Sequence, residues 1–409
     1  MNVQPIRGRG RARTGLSALL LGAALLFTSA CSGGSTAGAG GTGGATKGSG
    51  TTGNEASKAV VAVTPENGAK EVATSGVLKI TATGGKLTTV TVADTKGNKV
   101  EGKLAADGAT WEPARHLGSA TEYKVHAVAK DEAGRESAKD VTFTTLTPKN
   151  TFVATYAPED GATVGVGMPV TLNFTRGITN PEAVEKAITV TSQPSVPIEG
   201  HWFGNDRLDF RPEKYWAAGT KVTVTMNLDG VEGREGVYGK QTRTIAFTVG
   251  RAQVSTVDAE AHTMQVVRDD KPFKTIPITA GAPSTTTYNG QMVISEKYEV
   301  TRMNGATVGF GGEYDIKDVP HAMRLSTSGT FVHGNYWAAD STFGSENVSH
   351  GCVGLADVRG GYDDQAPAAW FYDNSLIGDV VIVKNSKDKN IAPDNGLNGW
   401  NMPWSEWIK

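Results

Sequence analysis

Apolar and polar residues alternate in short runs through most of the chain beyond residue 58, with Gly, Asn and Asp between the runs. Residues 77–82 (VLKITA) and 170–174 (VTLNF) are typical. Every second position in them is apolar, the period of a strand with one buried face. A longer repeat lies over this pattern. Thr64-Pro65-Glu66-Asn67-Gly68-Ala69 is answered by Ala157-Pro158-Glu159-Asp160-Gly161-Ala162, and Trp111-Glu112-Pro113 by Phe210-Arg211-Pro212. Short strands at this spacing, repeated about a domain length apart, predict two immunoglobulin-like β-sandwiches over 58–148 and 149–250. Neither contains a cysteine pair, so each relies on its apolar core. His116, His126 and His201 have no carboxylate or thiol cluster near them in sequence and read as structural or surface residues. Trp202-Phe203 and Tyr215-Trp216 read as core or domain-interface aromatics. Both sandwiches read as spacers or docking modules.

From Arg251 the pattern changes. Residues 264–267 and 274–278 flank Asp269-Asp270-Lys271 and predict a hairpin. Asn289-Gly290 predicts a tight turn before residues 291–294. Thr330-Phe331-Val332 predicts a strand that ends at His333. One helix is expected within 364–374, where Ala368, Ala369, Trp370 and Phe371 cluster. The third domain, 251–384, is therefore mostly β with one clear helix. Residues 385–409 carry Trp400, Trp404 and Trp407, too much buried-type surface for a disordered tail, and are expected to pack on the third domain. The fold class is mainly β.

The start of the chain bears on its compartment. Arg7, Arg9, Arg11 and Arg13 precede an apolar run at 16–27, and the small residues Thr28-Ser29-Ala30 precede Cys31. The run is shorter than the about 20 residues a spanning helix needs, so residues 1–31 read as an export signal. The small residues before Cys31 resemble a bacterial lipobox, although Thr28 stands where leucine is usual. That resemblance implies a diacylglyceryl thioether on Cys31, which becomes the mature N-terminus. An ordinary secretory signal is the alternative. Residues 32–57 are almost wholly Gly, Ser, Thr and Ala, the composition of a flexible tether. The expected location is the outer face of the cytoplasmic membrane, lipid-anchored and reaching into the wall. With 40 Lys and Arg against 42 Asp and Glu, there is no charge-driven case for nucleic acid or for a polybasic membrane surface.

With Cys31 lipidated, Cys352 is left without a partner, in a compartment where disulfides are ordinary. It sits in Asn347-Val348-Ser349-His350-Gly351-Cys352-Val353-Gly354. A cysteine nucleophile attacks as thiolate, and a nearby imidazole can take the thiol proton. His333, followed by Gly334, is a better base than His350, which lies only two residues from the thiol. Gly351 permits a sharp turn that brings its own N–H and that of Cys352 together as oxyanion donors.

His333-Gly334, an intervening loop and Ser349-His350-Gly351-Cys352 resemble the signature of the L,D-transpeptidases with a YkuD-type catalytic domain. The resemblance covers 251–409, and the whole layout is similar to actinobacterial members with two immunoglobulin-like domains. It implies that Cys352 is the nucleophile and His333 the base, steered by a backbone carbonyl near Gly334. Ser349 and His350 shape the site, and the Gly351 and Cys352 amides form the oxyanion hole. Tyr314 and Met303 would contact substrate from a mobile flap. The implied partners are peptidoglycan stem peptides, a tetrapeptide donor and an acceptor amine, joined in a 3→3 crosslink with loss of D-Ala. Carbapenem-type β-lactams would acylate the thiol, and no metal or organic cofactor is implied. One departure stands out. Many members follow the cysteine with an apolar residue and then Asn or Arg, whereas this chain has Val353 and Gly354.

Three other readings stay open on the residues alone. Water could replace the acceptor amine, giving an L,D-carboxypeptidase. His333, His350 and Cys352 could bind zinc, although zinc motifs usually pair close-set ligands. The chain could also be a non-enzymatic wall-binding lipoprotein with a buried, inert thiol. Such a thiol would alkylate slowly and only at high pH.

Overall fold

Alternating burial along successive strands builds three β domains in the computed structural model, which describes residues 55–307 and 312–409. The export signal, Cys31 and most of the 32–57 tether lie outside the described residues. In the first sandwich, Val60–Thr64, Lys79–Thr83, Thr110–Pro113 and Gly102–Leu104 form one sheet. Lys86–Asp94, Glu122–Lys130 and Glu136–Thr144 form the other. Tyr123, Val125, Ala127 and Ala129 point inward from a single strand and meet Ile80 and Trp111 of the opposite sheet.

The second sandwich has two four-stranded sheets, one containing Val170–Phe174 and Arg207–Arg211, the other Lys221–Asn227 and Thr242–Val249. Leu172, Leu208, Val222, Val224 and Ile245 fill the space between them. It also carries a short helix, Pro181–Lys186, that strand alternation did not predict. Proline at its start and the exposed Glu182–Lys186 pair at (i, i+4) spacing are ordinary helix signals, lost in a strand-rich neighbourhood. The sandwiches touch through short hydrogen bonds. Thr74 Oγ1 donates to Gly230 O at 2.6 Å, and Ser119 Oγ donates to Asp229 Oδ1 at 2.6 Å.

The third domain is built on one nine-stranded sheet. Its order is Gly290–Val293, Val380–Lys384, Gln253–Asp258, Thr263–Arg268, Lys271–Thr279, Val353–Ala356, Phe331–Asn335, Asp315–Arg324 and Glu296–Asn304. The expected hairpin is present: Asp269 and Asp270 both have positive φ (49° and 61°), as a two-residue loop matching strand twist requires. Asn289-Gly290 does something else. Gly290 opens a strand paired with Val380–Lys384, and the Asn289 amide donates to the carbonyls of Ser386 and Asp388. The dipeptide therefore fixes a distant loop instead of turning a hairpin. The helix expected within 364–374 spans Pro367–Asp373 and buries Ala368, Ala369 and Phe371 against the sheet.

The C-terminal tail packs on the third domain, and on the second sandwich as well. On the third domain, the Asn398 and Asn401 side chains accept from the backbone of Val293 and Gln291. On the sandwich, Trp400 Nε1 donates to Gly167 O at 2.7 Å and Trp407 Nε1 to Glu199 O at 2.9 Å. The Arg211 guanidinium lies 4.2 Å from the Trp407 ring centre, 4.8 Å from that of Trp400 and 5.3 Å from that of Trp404. Burial lowers its pKa to about 10. His201 is part of the same seam, its Nδ1–H donating to Trp407 O. Tyr215 hydrogen-bonds Gln291 across the same boundary. Trp407 is almost fully buried, so Trp407→Ala should cost about 3–5 kcal/mol. Urea unfolding followed by circular dichroism should show the loss in the transition that contains the second sandwich and the third domain.

Candidate active site

Two neighbouring parallel strands, Phe331–Asn335 and Val353–Ala356, place the chemistry. Their register pairs Val332 with Val353 and His333 with Gly354. Alternation then sorts the side chains. Val332, Val353 and Leu355 enter the domain core, whereas Phe331 and His333 point to the other face. Cys352, immediately before its strand, lies on that second face beside Phe331, Val319 and Ala322.

His333 lies inside its strand, which continues to Asn335, not at the strand end expected from Gly334. Its Nδ1 is 2.9 Å from Gly334 O. A carbonyl only accepts, so Nδ1 carries the proton and Nε2 is left basic. The ring stacks on Trp337 at 5.6 Å and 17°. Burial lowers the His333 pKa from 6.5, opposed by the Gly334 hydrogen bond. Gly334 has a steric role too, because a Cβ there would meet Asp357 Oδ2 at 2.1 Å.

Cys352 is 8% exposed, with Sγ 3.5 Å from Gly329 O. Burial pushes its pKa up to about 11, against smaller opposing effects from a backbone hydrogen bond at Phe331 and the charge of Arg324. The thiol and the imidazole are thus both neutral at pH 7 in this conformation. Gly351 has a φ of 103°, a region open to glycine, and a Cβ would find only ordinary contacts there. Backbone conformation, not space, selects the glycine. Its N–H points to Ser349 Oγ at 3.2 Å, so this expected oxyanion donor is engaged within the loop. Ser349 Oγ donates in turn to Cys352 O at 2.6 Å, cross-linking the turn. The Ser349 backbone is bonded to Ala280 and Ala282, which fastens the loop to the end of Lys271–Thr279.

His350 goes elsewhere. Its side chain is 41% exposed, with Nε2 3.4 Å from Glu313 Oε2 and its ring 5.1 Å from that of Tyr314. It lines the same cleft as His333 but is the more exposed of the two, and among the described residues no three His, Cys, Asp or Glu side chains group as metal ligands. Met303 and Tyr314 belong to the long hairpin of Glu296–Asn304 and Asp315–Arg324 and form one wall of a cleft of about 330 Å³. His333, Ser349, His350 and Cys352 line the same cleft. Burial, and then the neighbouring Cys352, raise the Tyr314 pKa to about 12, so it is a neutral donor.

With this geometry in place, comparison with known proteins is informative. A model of the bacterial Ig domain matches residues 69–232, and one of the YkuD L,D-transpeptidase catalytic domain matches 252–383. L,D-transpeptidase 2 of Mycobacterium tuberculosis (strain CDC 1551 / Oshkosh) is 33% identical over 346 residues, 83% of this chain and 82% of that protein. The chain belongs to the L,D-transpeptidase family. L,D-transpeptidase 5 of Mycobacterium tuberculosis (strain ATCC 25618 / H37Rv) is 29% identical over 84% of this chain and 75% of its own. A solved structure of L,D-transpeptidase 3 from Mycobacterium tuberculosis, in complex with a faropenem-derived adduct, is 28% identical. It covers 57% of this chain and 98% of its own, with a TM-score of 0.45.

For an L,D-transpeptidase of this family, the sequence reading missed several residues of the cleft: Ile316, Asn335, Trp337, Thr342 and Val348. Asn335 was findable, since alternation from His333 puts residue 335 on the same strand face. Trp337 lies beyond the strand, and nothing local marks it as the ring that covers His333. The buried thiol also changes what alkylation reports. Iodoacetamide should label Cys352 slowly at pH 7, and the rate should climb about tenfold per pH unit toward 11. A plateau near neutrality would instead reveal a preformed thiolate–imidazolium pair. Since an inert buried thiol behaves the same way, only acylation by substrate separates the two.

Proposed function

We propose that this L,D-transpeptidase joins peptidoglycan stem peptides by a Cys352 acyl-enzyme. The observation that carries the reading is the tautomer of His333: Gly334 O holds Nδ1–H, which leaves Nε2 as the basic nitrogen of an imidazole that lines the same cleft as Cys352. Cys352 Sγ attacks the carbonyl of the third stem residue while its proton passes to His333 Nε2. Collapse breaks the amide bond to D-Ala, whose nitrogen takes the proton from His333. An acceptor amine then attacks the thioester and gives a proton to His333 Nε2; collapse breaks the C–S bond, the departing Cys352 sulphur takes that proton back, and the 3→3 crosslink is formed. Cys352 N–H stabilises the oxyanion, joined by Gly351 N–H when it leaves Ser349 Oγ. Met303 and Tyr314 hold the stem peptide from the hairpin, with His350 and Ser349 shaping the opposite side. Carbapenem-type β-lactams enter as donor mimics and acylate the same sulphur. A lipid on Cys31 tethers the enzyme to the outer face of the membrane.

Purified protein incubated with disaccharide-tetrapeptide and followed by mass spectrometry should give a crosslinked dimer with loss of D-Ala. Cys352→Ala should give none. Tripeptide without dimer would instead favour water as acceptor. His333→Ala should slow acylation by about 10²–10⁴. In the native enzyme, the low pKa of His333 keeps Nε2 basic as pH falls, so kcat/KM should hold through pH 6.5 and drop only below it. A drop that begins well above pH 6.5 would contradict this assignment of the base.

A further inference from the structure

Gly354 is crowded in a particular way. It lies between His333 on one neighbouring strand and Thr279 on the other. A Cβ added there would come within 2.9 Å of Thr279 Cγ2 and 3.3 Å of Asn335 Nδ2. The Asn335 side chain therefore leans from its own strand over the position where residue 354 would carry a side chain. Asn335 is 3% exposed yet lines the cleft that holds Cys352 and His333. Its Oδ1 accepts from the backbone N–H groups of Trp337 and Ala338, at 3.3 and 3.0 Å. Those two bonds fix which end of the amide is which. Nδ2 finds no acceptor among the described residues. Among the described residues the fully buried side-chain N and O atoms without a partner are Thr171 Oγ1 and Arg211 Nε, so Nδ2 keeps contact with solvent at the cleft and is open to a ligand acceptor there.

We propose that Asn335 is a specificity-determining residue whose Nδ2 donates to an oxygen acceptor of the bound stem peptide, a backbone carbonyl or carboxylate beside the reacting carbonyl. This rests on the stem-peptide reading above. At position 354 this chain has glycine, and the Asn335 amide lies beside it, 3.3 Å from where a Cβ would stand. Asn335 and Gly354 are neighbours across the two strands: a side chain at 354 would press on the amide, and more closely on Thr279 Cγ2.

The test uses Asn335→Asp, which keeps an acceptor for Trp337 and Ala338 but loses the donor. At pH 8, kcat/KM for Cys352 acylation by disaccharide-tetrapeptide should fall about ten- to a hundredfold. The thermal midpoint and the iodoacetamide rate should match the native protein. Asn335→Ala should lose a similar factor, and Asn335→Ala/Gly354→Asn should recover at least tenfold over Asn335→Ala by returning an amide from the other strand. Native-like kcat/KM in Asn335→Asp would overturn the proposal, leaving Asn335 as a turn cap. So would a loss that tracks a lower thermal midpoint, or a double variant no better than Asn335→Ala. A native enzyme that acylates with tetrapeptide while Asn335→Asp is unaffected refutes only this inference. A native enzyme that does not react with tetrapeptide overturns the stem-peptide reading as well.

Discussion

The register between two parallel strands is the constraint on which the site depends. Pairing Val332 with Val353 sends both valines into the core and, by alternation, turns His333 and Cys352 to the opposite face. Parallel strands need a long crossover, and the connection here contains the Ser349-His350-Gly351 turn that delivers the thiol. A one-residue slip would put the imidazole into the core and a valine into the cleft. Valine at 332 and 353 makes that slip expensive on both strands at once. Core packing and catalytic geometry are thus set by the same pairing.

The neutral resting pair follows from the same burial. Desolvation raises the thiol pKa and lowers that of the imidazole, so both shifts disfavour an ion pair. A thiol kept in this form is protected, because oxidants and stray electrophiles react with thiolate. In the proposed mechanism its reactivity is tied to the arrival of a carbonyl that accepts the electron pair as His333 accepts the proton.

Local chemistry carried much of this in the sequence. The strand period marked the sandwiches, and the isolated cysteine beside Ser-His-Gly marked the loop that lines the cleft. The two-aspartate turn at 269–270 was legible because its residue types match its dihedral angles. What stayed hidden depends on partners far apart in sequence. Asn289-Gly290 reads as a tight turn and instead secures a loop about a hundred residues away. His333 looked like a strand terminus because Gly334 follows it. That glycine is there to admit the Asp357 carboxylate. The partner that occupies the tryptophan-rich tail was invisible too, since Arg211 reads locally as an ordinary strand-end arginine.

That tail also gives the molecule a chronology. The second sandwich presents the buried Arg211 guanidinium, whose covering rings come from residues 400, 404 and 407. A chain emerging from its N-terminus makes this arginine nearly two hundred residues before the tryptophans that cover it. Until they arrive, the sandwich carries a solvated cation in a groove shaped for indole rings. The middle domain therefore reaches its final surface only when the catalytic domain behind it has been made, and a chain cut short before Trp400 would expose an unfinished seam to proteases.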